Sequence, residues 1–218
     1  MSESKKGVLL ITTFFIFVSR VANNLFSAKT LLLAIKFISV DLPTSQLKVD
    51  IKGDLRSREF CKEICEGKDY IFNLAGLKGS PQRNMDSPAT FSVPQVQFGA
   101  NMVEAAFNSN CEWYLYTSSV GVYHPAEVFE EDDVWKTFPS ENDWYAGWAK
   151  RMGELNIESY MKETNKNNAT IVRPANVYGP YDNFGEWSMV IPSLIKKAFQ
   201  NDISVSYTHL RAHETEAD

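Results

Sequence analysis

The chain has 218 residues, 44% of them hydrophobic, enough to bury one domain or one and a fraction. A formal net charge of −5 and the lack of any Lys/Arg cluster exclude a nucleic-acid surface. Three cysteines, Cys61, Cys65 and Cys111, are too few and too odd for a disulfide framework, and point to a reducing, cytoplasmic setting.

The first element is the stretch GVLLITTFFIFVSRVANNLF, Gly7 to Phe26. A secretion signal needs small residues just before its cleavage point, yet cutting after Ala22 or Ala28 puts Arg20 or Phe26 there. A membrane span needs roughly 20 apolar residues, and Arg20 comes too early for one. The expectation is therefore a first strand over 7–11 and a helix over 19–28. Further strands are read at 31–40, 49–53, 69–74, 112–117 and 169–173, and further helices at 58–66, 94–108 and 148–163. In the last helix Trp148, Met152 and Leu155 form a stripe of helical period. Cys61 and Cys65, four apart in a helix, read as small residues on a packed face, with a metal or redox pair as the sharper alternative. Strands alternating with helices imply an α/β fold, a doubly wound parallel sheet covered on both faces. After Ile203 the text SVSYTHLRAHETEAD has no core periodicity and is expected to be a non-native tail. His209 and His213 within it have a metal-compatible spacing, but no metal site is expected there.

Open α/β sheets bind ligands at the carboxyl ends of their strands. The second strand ends at Asp41, suited to accept hydrogen bonds from a ribose diol, and the third at Asp54, beside Gly53. The fourth ends in Leu74-Ala75-Gly76, small enough for a ligand to lie against backbone. The fifth ends in Thr117-Ser118-Ser119, with hydroxyls at the strand tip, and the sixth runs into Pro174, Asn176 and Val177. Taken singly, each is an ordinary turn or cap residue.

Together, NLAG, YTSSVGVY, WAKRMGE and VRPANVYGP resemble the extended short-chain dehydrogenase/reductase family, the NAD-dependent nucleotide-sugar epimerases and dehydratases. The resemblance implies a Rossmann domain over 1–180, the start of a smaller substrate domain over 181–203, and the tail over 204–218. By the family pattern Asp41 meets the adenosine ribose of NAD and Asp54 the adenine. Leu74, Ala75, Gly76, Thr117, Pro174, Asn176 and Val177 line the cofactor, while Ser118, Ser119 and Asn176 meet the sugar. An acid at Asp41 would repel a 2′-phosphate, so NAD is expected ahead of NADP. The partner implied is a nucleotide sugar, with neither nucleic acid nor membrane, and homodimerisation through 94–108 and 148–163 is open.

Two departures mark the sequence. The family pairs a tyrosine with a lysine four residues on, so that the ammonium lowers the phenol pKa for proton transfer. Lys150 is in place, but Ala146 stands four before it and Tyr145 five before. The expectation keeps Ser119, Tyr145 and Lys150 as catalytic residues, Tyr145 and Lys150 also facing the cofactor, with a non-helical first residue or a π-bulge absorbing the slip. The family's glycine-rich loop is replaced by TTFFIFV, residues 12–18, with no glycine between Gly7 and Gly53. Within the family, DSPATFSVPQVQFGANMVEAA and YGPYDNFGEWSMVIPSLI most resemble the GDP-fucose synthase branch. Val120 and Met189 stand where that branch has a cysteine and a histidine, so its double epimerisation is not expected. Reduction, 4-epimerisation and dehydration at the sugar C4 position all stay open. A dehydratase acid could lie among Glu130, Glu131, Asp132 and Asp133, which otherwise read as a solvated charge run. A catalytically silent Rossmann-like binding protein, or a damaged fragment of an enzyme, is the alternative reading.

Overall fold

A computed structural model describes residues 6–12, 35–41, 48–77, 81–175, 177–179, 182, 184, 185 and 188–200. The expected helix at 19–28, the loop at 13–18, Asn176 and the tail with its two histidines lie outside these residues. The chain divides into two compact units, Met1–Val177 and Tyr178–Asp218.

In the first unit the strands are β1 (Lys6–Thr12), β2 (Ile35–Asp41), β3 (Ile51–Lys52), β4 (Tyr70–Leu74), β5 (Trp113–Thr117) and β6 (Ala169–Val172). The helices are α1 (Arg58–Cys65), α2 (Pro81–Asp86), α3 (Pro88–Asn108) and α4 (Trp144–Thr164). All pairings are parallel, in the order β3-β2-β1-β4-β5-β6. The chain winds outward from β1 to β3, then crosses back to lay β4 on the other side of β1. The strand order reverses there, and that switch point is where an open sheet leaves a crevice for a ligand.

The apolar runs that suggest strands are the ones the sheet buries. Leu9, Ile11, Val40 and Ile71 pack with Cys61, Ile64 and Cys65 of α1 and with Met102, Val103 and Ala106 of α3. The three thiols are buried, and Cys61 donates to the Leu55 carbonyl at 3.1 Å. Burial pushes Cys61 up to about 12 and Cys111 up to about 11, so both stay protonated and behave as small apolar groups.

Local chemistry sets the helix ends. Ser57 caps α1 by accepting from the Phe60 N–H at 3.2 Å. Asn165 ends α4 in the left-handed region at φ 53°, the usual conformation just past a helix C-terminus. α3 starts six residues before the expected Pro94, with Pro88 in its first position. Pro94 lies inside it as the seventh residue, past the first turn, so the hydrogen bond its N–H would give the Thr90 carbonyl is missing there. α4 starts four residues early, at Trp144.

The second unit contains α5 (Val190–Phe199), anchored where Lys196 Nζ donates to the Phe184 carbonyl at 2.9 Å. Val190, Leu194, Ile195 and Phe199 are exposed along it. No described helix is long and apolar enough to cross a membrane.

Candidate active site

The site is built on the carboxyl ends of β4 and β5 and on the face of α4 that covers them. Asn73, fully buried, donates to the Tyr114 hydroxyl at 2.8 Å and accepts from the Ala75 N–H at 3.1 Å, which fixes where the β4 strand end turns. Lys150 reaches from α4 to this turn. Its Nζ donates to the Thr117 carbonyl at 2.7 Å and the Ala75 carbonyl at 3.3 Å, and lies over the Tyr116 ring at 5.2 Å. Burial lowers its pKa to about 8, with Glu154 pulling the other way. A Cβ on Gly76 would sit 3.4 Å from that Nζ, so the bare Gly76 backbone borders the ammonium directly.

Ser119 follows β5. Its Oγ accepts from the Gly121 N–H at 3.1 Å, leaving the hydroxyl proton to donate. The strand tips of β5 and β6 continue to pair past their formal ends. Ser118 N–H donates to the Val172 carbonyl at 2.8 Å and Val120 N–H to the Pro174 carbonyl at 3.0 Å. Val177 is half exposed.

The other half of the sheet carries the acids. Asp41 is buried at the β2 tip, where its carbonyl accepts from the Gly53 N–H at 3.0 Å. Asp54 is bound by the Arg56 guanidinium at 2.5–3.0 Å and by the Arg56 backbone N–H at 2.9 Å. That pairing holds its carboxyl below the ordinary range.

Ser119, Lys150, Ala75, Gly76 and Thr117 therefore gather at neighbouring strand ends. Tyr145 does not join them. α4 is regular from Trp144 onward and Tyr145 is its second residue, without a π-bulge or a non-helical first residue to turn it. Five residues from Lys150, it points about 140° away. That is the side of Met152, and Tyr145 is half exposed.

One residue of this cluster escaped the sequence reading. Gln95 of α3 is 4% exposed, and its Oε1 accepts from the Leu77 N–H at 3.3 Å. That oxygen lies 3.9 Å from where a Gly76 Cβ would be, while the Nε2 is buried without a partner. The available signal was a polar residue on the buried stripe Phe91, Gln95, Phe98, Met102. Thr117 Oγ1 and Ser118 Oγ are likewise buried without partners. Buried polar groups normally find a hydrogen bond.

Residues 23–212 match the model of the NAD dependent epimerase/dehydratase family. The chain belongs to that family. Its relatives include the GDP-L-fucose synthase of Sinorhizobium fredii, 32% identical over 154 residues, or 68% of this chain and 48% of that protein. The GDP-mannose 3,5-epimerase of Arabidopsis thaliana is 29% identical over 144 residues, 62% of this chain and 36% of that one. Among solved structures, the GDP-L-fucose synthetase of Naegleria fowleri bound to NADP superposes with a TM-score of 0.70 at 22% identity. It covers 92% of this chain and 59% of its own. The chain spans about half the length, or less, of the curated relatives it matches. These family members bear out the Rossmann-type α/β expectation.

Proposed function

We propose that this chain carries the cofactor-binding part of an NAD(P)-dependent enzyme that acts on a nucleotide-linked sugar by hydride transfer at C4. The observation that carries this reading is Lys150 Nζ held between the Ala75 and Thr117 carbonyls, against the bare backbone of Gly76. An ammonium fixed beside two strand ends is suited to a ribose hydroxyl and to a developing alkoxide.

A bound nicotinamide would supply the hydride acceptor. Around it, Asp41 would accept from the adenosine ribose diol and favour NAD over NADP. Asp54 would lie along the adenine with its charge already taken by Arg56. Leu74, Ala75, Gly76, Thr117, Pro174, Asn176 and Val177 would line the cofactor, and Gln95 Nε2 would find its missing acceptor there. Ser119 would donate to the reacting sugar oxygen, with Ser118 and Asn176 beside it. Residues 1–180 would form the cofactor domain and 181–203 the start of the sugar-binding one, with 204–218 outside both. A cytoplasmic setting fits the three protonated, buried thiols. A homodimer would form through α3 and α4, where Val93, Val96, Met152 and Leu155 are exposed.

The test is cofactor titration of the full chain by calorimetry, followed by single-turnover absorbance with GDP-, UDP- and dTDP-linked sugars. NAD binding, then its reduction by one of these sugars, is expected. No heat with either NAD or NADP at millimolar concentration would overturn the reading.

A further inference from the structure

The turn before α4 contains a carboxyl group that the site as described leaves unused. Asp143 closes the 3-10 turn Glu141–Asp143, immediately ahead of Trp144, and stands seven residues before Lys150. Asp143 is the N-cap of α4, at φ −114° and ψ 17°, and so precedes the regular turns of that helix. Ala146 and Gly147 follow it in the first turn. Gly147 is pressed on the Gly121 carbonyl, which a Cβ would approach to 2.5 Å. Gly121 meets Asp143 as well: a Cβ there would lie 3.1 Å from the Asp143 Cγ and 3.3 Å from its Oδ2. The N–H of the same Gly121 donates to Ser119 Oγ at 3.1 Å. One glycine thus separates the Asp143 carboxyl from the Ser119 hydroxyl.

We propose that Asp143, in place of Tyr145, is the proton-transfer group of this site, placed at the N-terminal end of α4 and facing Ser119 across Gly121. The inference rests on the functional reading above. In the oxidative direction the Asp143 carboxylate takes the proton as the sugar O–H bond breaks. The C–H electron pair leaves as hydride to the oxidised nicotinamide cofactor, which is reduced, and a C=O bond forms. The reverse step returns the proton from the neutral acid. Burial raises the Asp143 pKa against the opposing hydrogen bond from Ser140, and among the described residues no ion pair holds it down. The groups about it are Ser140 from its own turn and Ser119 through Gly121. A carboxyl so placed is a better acid and base near neutrality than an ordinary aspartate.

Two measurements on the full chain test this. Carboxyl 13C NMR on the cofactor-free protein, with the Asp143 signal assigned by Asp143→Asn, should give a midpoint above the ordinary value of about 4. A midpoint at or below that value overturns the proposal even if the chain turns nothing over. It thereby separates this failure from failure of the functional reading, which is absence of cofactor binding. In single-turnover hydride transfer, Asp143→Asn should lose about 100-fold or more with NAD affinity unchanged, and Tyr145→Phe should stay within about twofold. If Asp143→Asn does not fold, Asp143→Glu and Asp143→Ser replace it. Deleting Ala146 moves Tyr145 to four before Lys150 and shifts Asp143 relative to Gly121, so transfer should then depend on Tyr145. Near wild-type transfer in Asp143→Asn, or its loss in Tyr145→Phe alone, overturns the assignment.

Discussion

The two ends of α4 are different kinds of helix. From Lys150 to Ile157 its inward side chains are locked to the sheet. Lys150 is held by two strand-end carbonyls, and Arg151 donates to the Val122 carbonyl at 2.9 Å and also to that of Thr137. Glu154, 1% exposed, accepts from Nε and Nη2 of Arg173 at 3.0 and 2.7 Å. Arg173 in turn donates to the Tyr123 hydroxyl at 2.9 Å. The first turn has no such hold. Trp144 and Tyr145 are exposed, and the rings of Phe138, Trp144 and Trp148 meet one another tilted or edge-on, about 6 Å apart. An extra residue ahead of a locked segment cannot move that segment. It rotates the unlocked end instead, and here the rotation carries Tyr145 off the Lys150 face.

The largest effect that would break this contrast is expected at Glu154. Glu154→Ala leaves Arg173 partly buried without its carboxylate, and should cost about 3–5 kcal/mol in urea melts. A cost under about 1 kcal/mol would mean that the network does not hold the register. Gly153→Ala comes next, since its Cβ would fall 2.3 Å from the buried Tyr116 hydroxyl. About 1–3 kcal/mol and a visibly lower Tm are expected from that overpacking.

The third prediction concerns pH. The Lys150 pKa is lowered to about 8 in the folded chain, below its unfolded value of about 10.4. Between these values the unfolded chain binds more protons, so this group makes stability rise with pH from about 8 to about 10. Below pH 8 its full penalty applies. The stability of wild type minus that of Lys150→Met should therefore rise over this window, by on the order of 1–2 kcal/mol. Taking the difference removes the opposing contribution of thiols that ionise only when unfolded. A flat difference would show that the ammonium is not desolvated. The smallest effect belongs to the unlocked end: Tyr145→Ala should change stability by no more than about 0.5 kcal/mol. A loss above about 1.5 kcal/mol would mean that the side chain is packed after all.

Five of the six strands were legible because a sheet covered on both faces needs continuous apolar runs, and VLLIT, FISV, IFNL, YLYT and ATIV supply them. The strand-end residues were legible for the same reason, since a strand that is recognised also locates its tip. Helix starts were not. WYAGW has no capping residue with a side-chain bond and no clear apolar period, so 148 was read where α4 begins at Trp144. Pro94 drew the α3 boundary to itself because a proline usually opens a helix. Gln95 was hidden because an amide in a helix gives no local sign that its partner is missing.

By itself the sequence determined the alternation of strands and helices, the acids and hydroxyls at the strand tips, and the family. The first two follow from short-range periodicity and turn chemistry, which neighbouring residues set, and the family from the motifs NLAG, YTSSVGVY, WAKRMGE and VRPANVYGP. Only the tertiary structure decided which face Tyr145 takes and that Asp143 abuts Gly121. The reason is physical: a helix's phase is fixed by whichever of its residues are anchored. In α4 the anchors, on Ala75, Thr117, Val122 and Arg173, come from parts of the chain far away in sequence.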